Sequence, residues 1–238
     1  MRRFFAGKVV ENKAFLLDGE AEHFSRVLRM AVGDSFLAAY QGRELVCRAL
    51  SVEKGEVCAE ILESRDCPGE PSVDLTLYVA YMKSDKMELI LQKTVELGIC
   101  CFAPFVSSRC VKKPKEGVKA QERFEKIAEG AVKQCGRAAA VRILQPLSFK
   151  EVLEKIPQHD AVLFAYEKSE IALRQVFEQV REQRDIALIV GPEGGFSEQE
   201  AEQIIAAGGR SVSLGRRILR GETAAIALTA LAAYETGC

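Results

Sequence analysis

Metal and disulfide signatures are missing from this 238-residue chain. Its eight cysteines form no Cys-x-x-Cys pair, and His23 and His159 are the only histidines, so no zinc site is expected. The opening MRRFFAGKVV lacks an apolar core followed by a small-residue cleavage site. Reduced thiols in a soluble cytoplasmic protein are therefore expected rather than a disulfide framework. The longest apolar run, AAIALTALAAY, reaches only about half of the roughly 20 residues a membrane span needs and is built from alanine. An excess of charge of one sign is also missing. The 33 Lys+Arg and 34 Asp+Glu give −1 overall, which offers no whole-chain hint of a nucleic-acid partner. Neither GxxxxGK[ST] nor GxGxxG occurs, so a nucleoside triphosphatase or an ordinary dinucleotide fold would lack its phosphate-binding device. GxSxG is absent too, and two histidines suggest no Ser/His/Asp arrangement.

What is present is ordinary globular usage, 48% hydrophobic and 28% charged, which excludes collagenous, low-complexity and disordered chains. The length predicts one to two domains that bury roughly 70% of the unfolded surface. Residues 1–65 carry short alternating stretches, RRFFAG, KAFLL, DSFLAAY, RELVCRALSVE and GEVCAEILE, with turn signals between them. Period-two alternation of this kind predicts a small β unit. One helix interrupts it at EAEHFSRVLRM, where Phe24, Val27 and Leu28 share a face. SRDCPGEPS then reads as a linker. Beyond it, strands are predicted at DLTLYVAY, CFAPFVSS, DAVLFAY, DIALIVG and SVSLG. Helices are predicted at DKMELILQKTVELG, AQERFEKIAEGAVKQCG, SFKEVLEKI, EIALRQVFEQVREQ, SEQEAEQIIAAG and GETAAIALTALAAYE. Near-continuous apolar strands alternating with helices imply a parallel sheet covered on both faces, an α/β fold. The two domains are set at residues 1–70 and 71–238.

Charge is unevenly spread along the chain. Residues 107–150 hold 11 basic and 4 acidic side chains, a surplus of +7, while residues 151–207 hold 5 and 12, a deficit of −7. The basic stretch SSRCVKKPKEGVK is either a solvated loop or a surface that neutralises phosphates.

Parallel sheets bind ligands beyond the carboxyl ends of their strands. Two predicted strands there lead into glycine-rich loops, GPEGG (Gly191, Pro192, Glu193, Gly194, Gly195) and LGRRILRGETA (from Leu214 and Gly215 to Glu222, Thr223 and Ala224). Ser197 with Glu200 is a capping-box pattern that puts GPEGG between a strand and a helix start. Glycine permits close backbone approach to a ligand, although Gly-Pro and Gly-Gly also make plain turns. Two adjacent loops with few ionisable groups suit a cofactor that carries its own reactivity.

GPEGGFSEQE followed by VSLGRRILRGETAAIAL resembles the C-terminal signature of the RsmE-type 16S rRNA uridine N3-methyltransferases, SPOUT-class enzymes that use S-adenosylmethionine. The likeness extends through MRRFF, HFSRVLRMAVGD, KSDKMELILQKTVELG, FAPFVSSR and ERFEKIAEGAVKQCGR, in order along nearly the whole chain. Cys135 stands where a serine was expected. The resemblance implies a PUA-like RNA-binding β-barrel at the N-terminus and a SPOUT α/β domain with a C-terminal trefoil knot. It further implies a homodimer, without metal or membrane, acting on 16S rRNA of the small ribosomal subunit. Connection rules alone disfavour knots.

On this reading Ala165, Gly191, Pro192, Glu193, Gly194, Gly195, Leu214, Gly215, Ile218, Leu219, Arg220 and Thr223 hold S-adenosylmethionine. Arg220 is expected to stabilise negative charge developing on uracil, and Glu193 or Glu222 either accepts a proton or plays a structural part. RNA contacts are expected from Arg2, Arg3, Arg26, Arg29, Lys112, Lys113, Lys115, Arg123 and Arg137. Phe196 and Tyr166 are either stacking platforms or core. Three alternatives remain open: ribose methylation of tRNA by another SPOUT enzyme, a non-enzymatic RNA-binding assembly factor, and a dehydrogenase-like enzyme.

Overall fold

The computed structural model describes residues 1–112, 114, 118–180 and 182–237. It divides into two compact units, Met1–Glu70 with Val132–Ala140, and Pro71–Ala131 with Val141–Cys238.

The first unit holds β1 (Arg3–Phe5), β2 (Lys8–Val10), β3 (Lys13–Leu17), β4 (Ser35–Tyr40), β5 (Arg43–Glu53) and β6 (Glu56–Asp66). They form one sheet in the order β1-β4-β5-β6-β3-β2. The sheet curls until its edges meet. The Ala6 amide donates to Ala39 of β4 at 3.0 Å and the next amide, Gly7, donates to Phe15 of β3 at 2.8 Å. Alternate residues point inward, so Phe4, Leu16, Phe36, Cys47 and Val57 are all fully buried. The predicted helix begins at α1 (Asp18–Glu22) but widens to a π-type turn over His23–Val27, which sends Phe24 into this core and leaves Val27 68% exposed.

The predicted linker SRDCPGEPS is partly strand, because β6 continues to Asp66 opposite β5, with Arg43 paired to Asp66 at 2.7 Å. Glu44 is buried and bridges Arg3 at 2.8 Å and Arg65. Arg3 also donates to Cys67 Sγ and to the Arg137 carbonyl, both at 3.2 Å. Arg3 is thus held by partners within its own unit. Arg137 corrects the sequence reading more strongly. It is 3% exposed and its Nε lies 3.2 Å from Glu70, whose carboxylate also accepts the Ala138 and Ala139 amides. A charge taken out of water needs such partners, and no phosphate reaches it there.

The second unit is α/β. Its elements are β7 (Asp74–Ala80), α2 (Ser84–Glu96), β8 (Ile99–Val106), α3 (Val118–Cys135, which ends in the first unit's share of the chain), β9 (Arg142–Ile143) and β10 (Leu147–Ser148). There follow α4 (Phe149–Lys155), β11 (Ala161–Ala165), α5 (Leu173–Val180), β12 (Asp185–Val190), α6 (Glu198–Ala206), β13 (Arg210–Val212) and α7 (Gly221–Thr236). The strands run parallel in the order β10-β8-β7-β12-β11-β13, with β9 beside β8. Burial on both faces of β7, β8 and β12 explains their unbroken apolar runs. Each predicted helix and strand of this unit is present within a few residues. The two-residue strands β9 and β10 carry no pattern long enough to predict.

Topology places the ligand-binding end. β12 inserts between β7 and β11, whereas β13 lies at the edge beyond β11. Yet α7 packs on α2, β12 and β7. Residues 213–220 therefore return across the carboxyl ends of β11 and β12. Beneath them Phe196 is 2% exposed, parallel to Phe105 at 6.4 Å and edge-on to Phe164 at 6.1 Å. Phe196 is packed in the core and also borders the cavity described below, so the packing half of its expected choice is observed.

Arg137→Ala is expected to lower unfolding free energy by about 2 kcal/mol through the lost charged hydrogen bond, with RNA affinity unchanged. Denaturant melts and an RNA titration check both.

Candidate functional site

A cavity of about 260 Å³ opens at the carboxyl ends of β11, β12 and β13. Its wall includes Ala165, Gly191, Pro192, Glu193, Gly194, Gly195, Leu214, Gly215, Ile218 and Leu219, which brings together ten of the twelve residues expected at a cofactor. Arg220 and Thr223 are not part of the wall. Gly221 and Ala224 line it instead. Helical residues advance about 100° each, so Gly221 and Ala224 share a face that Thr223 leaves. Arg220 is exposed in extended conformation at the N-cap of α7.

Sequence reasoning missed Val190, Glu167 and Ser213, which also line the cavity, as do Arg216 and Arg217 of the LGRRILRGETA loop. Their position at the end of β12 or shortly after β11 or β13 was the available signal. Tyr166, left open between stacking and packing, lines the cavity as well.

Backbone dominates the wall because the chain comes too close for side chains. Gly195 has φ +65° and a Cβ there would lie 2.9 Å from Glu167 Oε1. Its amide instead closes a turn onto the Pro192 carbonyl at 2.9 Å. At Gly221 a Cβ would sit 2.8 Å from Met82 Sδ, so the start of α7 can lie directly against the end of β7.

The loop after β8 clamps GPEGG from outside. Arg109 Nη1 donates to the Gly194 carbonyl at 3.0 Å and the Phe196 carbonyl at 3.2 Å. The capping box predicted at Ser197 and Glu200 forms, and the same Glu200 carboxylate accepts the Ser108 amide at 2.8 Å. Burial pushes the Glu200 pKa up, but the Ser197 and Ser108 donors outweigh it and hold the carboxyl below the usual glutamate range. Arg109 had been read only as part of a basic loop.

Lys86, from the first turn of α2, lies 3.2 Å from both Glu193 and Glu222. Burial disfavours its charge, yet the two carboxylates prevail and raise its pKa above the lysine norm. Glu193 is therefore already ion-paired where a free base had been considered. Tyr78, His159 and Asp185 form a hydrogen-bonded chain, at 2.9 and 2.8 Å. His159 and Asp185 stand at the amino ends of β11 and β12, so this chain does not serve the cavity.

The residues expected at RNA separate into groups. Arg2, Arg29 and Lys112 are exposed. Arg26 is exposed and pairs with Glu22 at 3.3 Å, and Arg123 is exposed and pairs with Glu88 at 2.6 Å. Arg3 and Arg137 are internally committed, as described above. Lys113 and Lys115 lie outside the described residues. Among the described residues no group of three or more metal-ligating side chains occurs, and no helix is long and apolar enough to cross a membrane.

The sequence profile of a family described as an RNA methyltransferase domain matches residues 69–233. A Bacillus subtilis protein named ribosomal RNA small subunit methyltransferase E is 32% identical, over 99% of this chain and 97% of that protein. The chain belongs to this methyltransferase family. Its Neisseria gonorrhoeae member, solved bound to S-adenosylmethionine, is 31% identical with a TM-score of 0.80, covering 97% of this chain and 96% of that one. A Legionella pneumophila structure solved with the same cofactor is 28% identical with a TM-score of 0.81 over the same shares.

Glu200→Gln is expected to cost on the order of 1–2 kcal/mol at neutral pH. A depressed carboxyl pKa stabilises the fold above the unfolded value, about 4.3, and that contribution is lost as pH falls through the folded value. The gap between wild type and variant should therefore close in acid, as read by melts from pH 7 to pH 3.

Proposed function

We propose that this protein transfers the methyl group of S-adenosylmethionine to N3 of a specific uridine in 16S rRNA of the small ribosomal subunit. The observation that carries the reading is the glycine-lined cavity at the carboxyl ends of β11 to β13, in a chain similar over its whole length to methyltransferases solved with that cofactor.

The wall fits the group. Gly191, Gly194, Gly195 and Gly215 expose backbone donors and acceptors, while Val190, Leu214, Ile218 and Leu219 offer apolar contact to an adenine ring and the methylenes of a methionine chain. Its volume is close to the roughly 300 Å³ at which small-molecule sites begin. When bound, S-adenosylmethionine supplies an electrophilic methyl on a sulfonium. The protein's task is then to place uracil N3 in line with that methyl and to favour the deprotonated imide. Arg220, exposed beside Gly221 of the wall, is assigned the charge that develops on the uracil. The Lys86 pair on Glu193 favours a structural part for that carboxylate over proton acceptance.

The finer architecture belongs to the same proposal. The return of residues 213–220 from the sheet edge to α7 supports a trefoil knot, and the curled first sheet supports a PUA-like β-barrel that docks RNA. Residues 1–70 are assigned to docking and residues 71–238 to chemistry. Exposed Leu231 and Tyr234 on the alanine-rich α7, at 43% and 80% exposure, support a homodimer through that helix. A cytoplasmic location accords with a ribosomal substrate.

Labelled S-adenosylmethionine with small subunits lacking the modification tests the reading. One methyl per subunit, mapped to a uridine N3, is expected. No transfer, or label on a ribose, overturns it. Arg220→Ala should lower kcat about 100-fold with cofactor affinity retained, and undiminished methylation would remove Arg220 from its role.

A further inference from the structure

We infer that Arg216 and Arg217 form a phosphate clamp at the mouth of the cavity, gripping the RNA backbone beside the nucleotide being methylated. The inference rests on the methyltransferase reading above and adds the residues that hold the substrate at the site itself.

Both arginines line the cavity and both are exposed. They follow Gly215, whose φ of +109° turns the chain outward with nothing within 4 Å of where a Cβ would stand. Ser213 Oγ accepts the Gly215 amide at 3.3 Å, which fixes that turn. The segment is thus pinned at its root while its two guanidiniums face solvent.

The carboxylates nearby are otherwise engaged. Glu193 and Glu222 share Lys86, and Glu198 holds Lys168. Glu167, the remaining acid of the wall, lies against Gly195. No ion pair or side-chain hydrogen bond involves Arg216 or Arg217 among the described residues. The other arginines of this unit near GPEGG and α2 contrast with them, since Arg109 is spent on two carbonyls and Arg123 on Glu88. Two adjacent guanidiniums without a protein anion, beside a site that must receive a nucleotide, match the bidentate geometry of phosphate oxygens. Phosphate contacts position a substrate without reading its sequence, which is what the reaction needs from a group just outside the reacting base.

The test uses the full-length protein with steady-state methylation and RNA binding measured from 50 to 300 mM salt. Arg216→Ala/Arg217→Ala should raise KM for the RNA substrate at least about tenfold. It should also flatten the plot of log K against log[salt] by roughly one per arginine. Calorimetry should find S-adenosylmethionine binding within twofold of wild type, which also reports that the cavity is folded. Lysine at both positions should restore most of the salt slope. An unchanged slope and KM in the alanine variant overturns the clamp while leaving the methyltransferase reading intact. Loss of cofactor binding with an unchanged salt slope overturns it too, by assigning the arginines to the cofactor. Failure of the wild type to methylate is the separate outcome that removes the underlying reading.

Discussion

The position of the last helix governs the second unit. β13 ends at the sheet edge, but the alanine-rich α7 is buried two and three strands inward, on β12 and β7. Its apolar surface cannot be satisfied at the edge, so the chain must travel back over the strand ends before the helix starts. That return path is the roof of the cavity. The glycines follow from the same constraint, since Gly221 meets Met82 and Gly191 meets the ring of Phe196 at separations that leave little or no room for a Cβ. The lining is mostly backbone because two loops and a helix start converge there.

A roof of backbone needs a rigid floor and side. Phe196 supplies the floor by joining Phe105 and Phe164 in the core. Arg109 and Glu200 supply the side, Arg109 reaching from the loop after β8 to the backbone of GPEGGF and Glu200 from the first turn of α6 back to the Ser108 amide. Each of these hydrogen bonds has one ionised partner, which strengthens it relative to a neutral pair. Precision at the site thus comes in part from Arg109 and Glu200, which do not line it.

Much of this was legible in the sequence. The strand and helix rhythm after residue 70 predicted the parallel sheet, the capping box predicted the start of α6, and two glycine-rich loops after apolar strands predicted most of the wall. What escaped depends on contacts between residues distant along the chain. Arg109 and Gly194 are 85 positions apart and Lys86 and Glu193 are 107 apart, and no local pattern reports such pairs. Arg137 was misread for the same reason: a cation after a glycine at a helix end looks solvated until Glu70 is seen beside it. The π-type turn at His23–Val27 shows a different limit, because its wider winding buries Phe24 but takes Val27 off the face that ordinary helical spacing predicts.

Local charge counts therefore overstate what a partner can use. Of the basic residues in the +7 stretch, Arg109, Arg123, Lys133 and Arg137 each contact a protein carbonyl or carboxylate. Those bonds fix the fold and leave less positive charge free for phosphates than the surplus suggests. Arg216 and Arg217 lie outside that stretch, in the glycine-rich loop LGRRILRGETA, and they stand exposed at the cavity with no ion pair or side-chain hydrogen bond among the described residues. For electrostatic recognition the deciding quantity is the number of cations without an internal anion at the place where the substrate must sit. Neither the net charge of −1 nor the segment sum measures it.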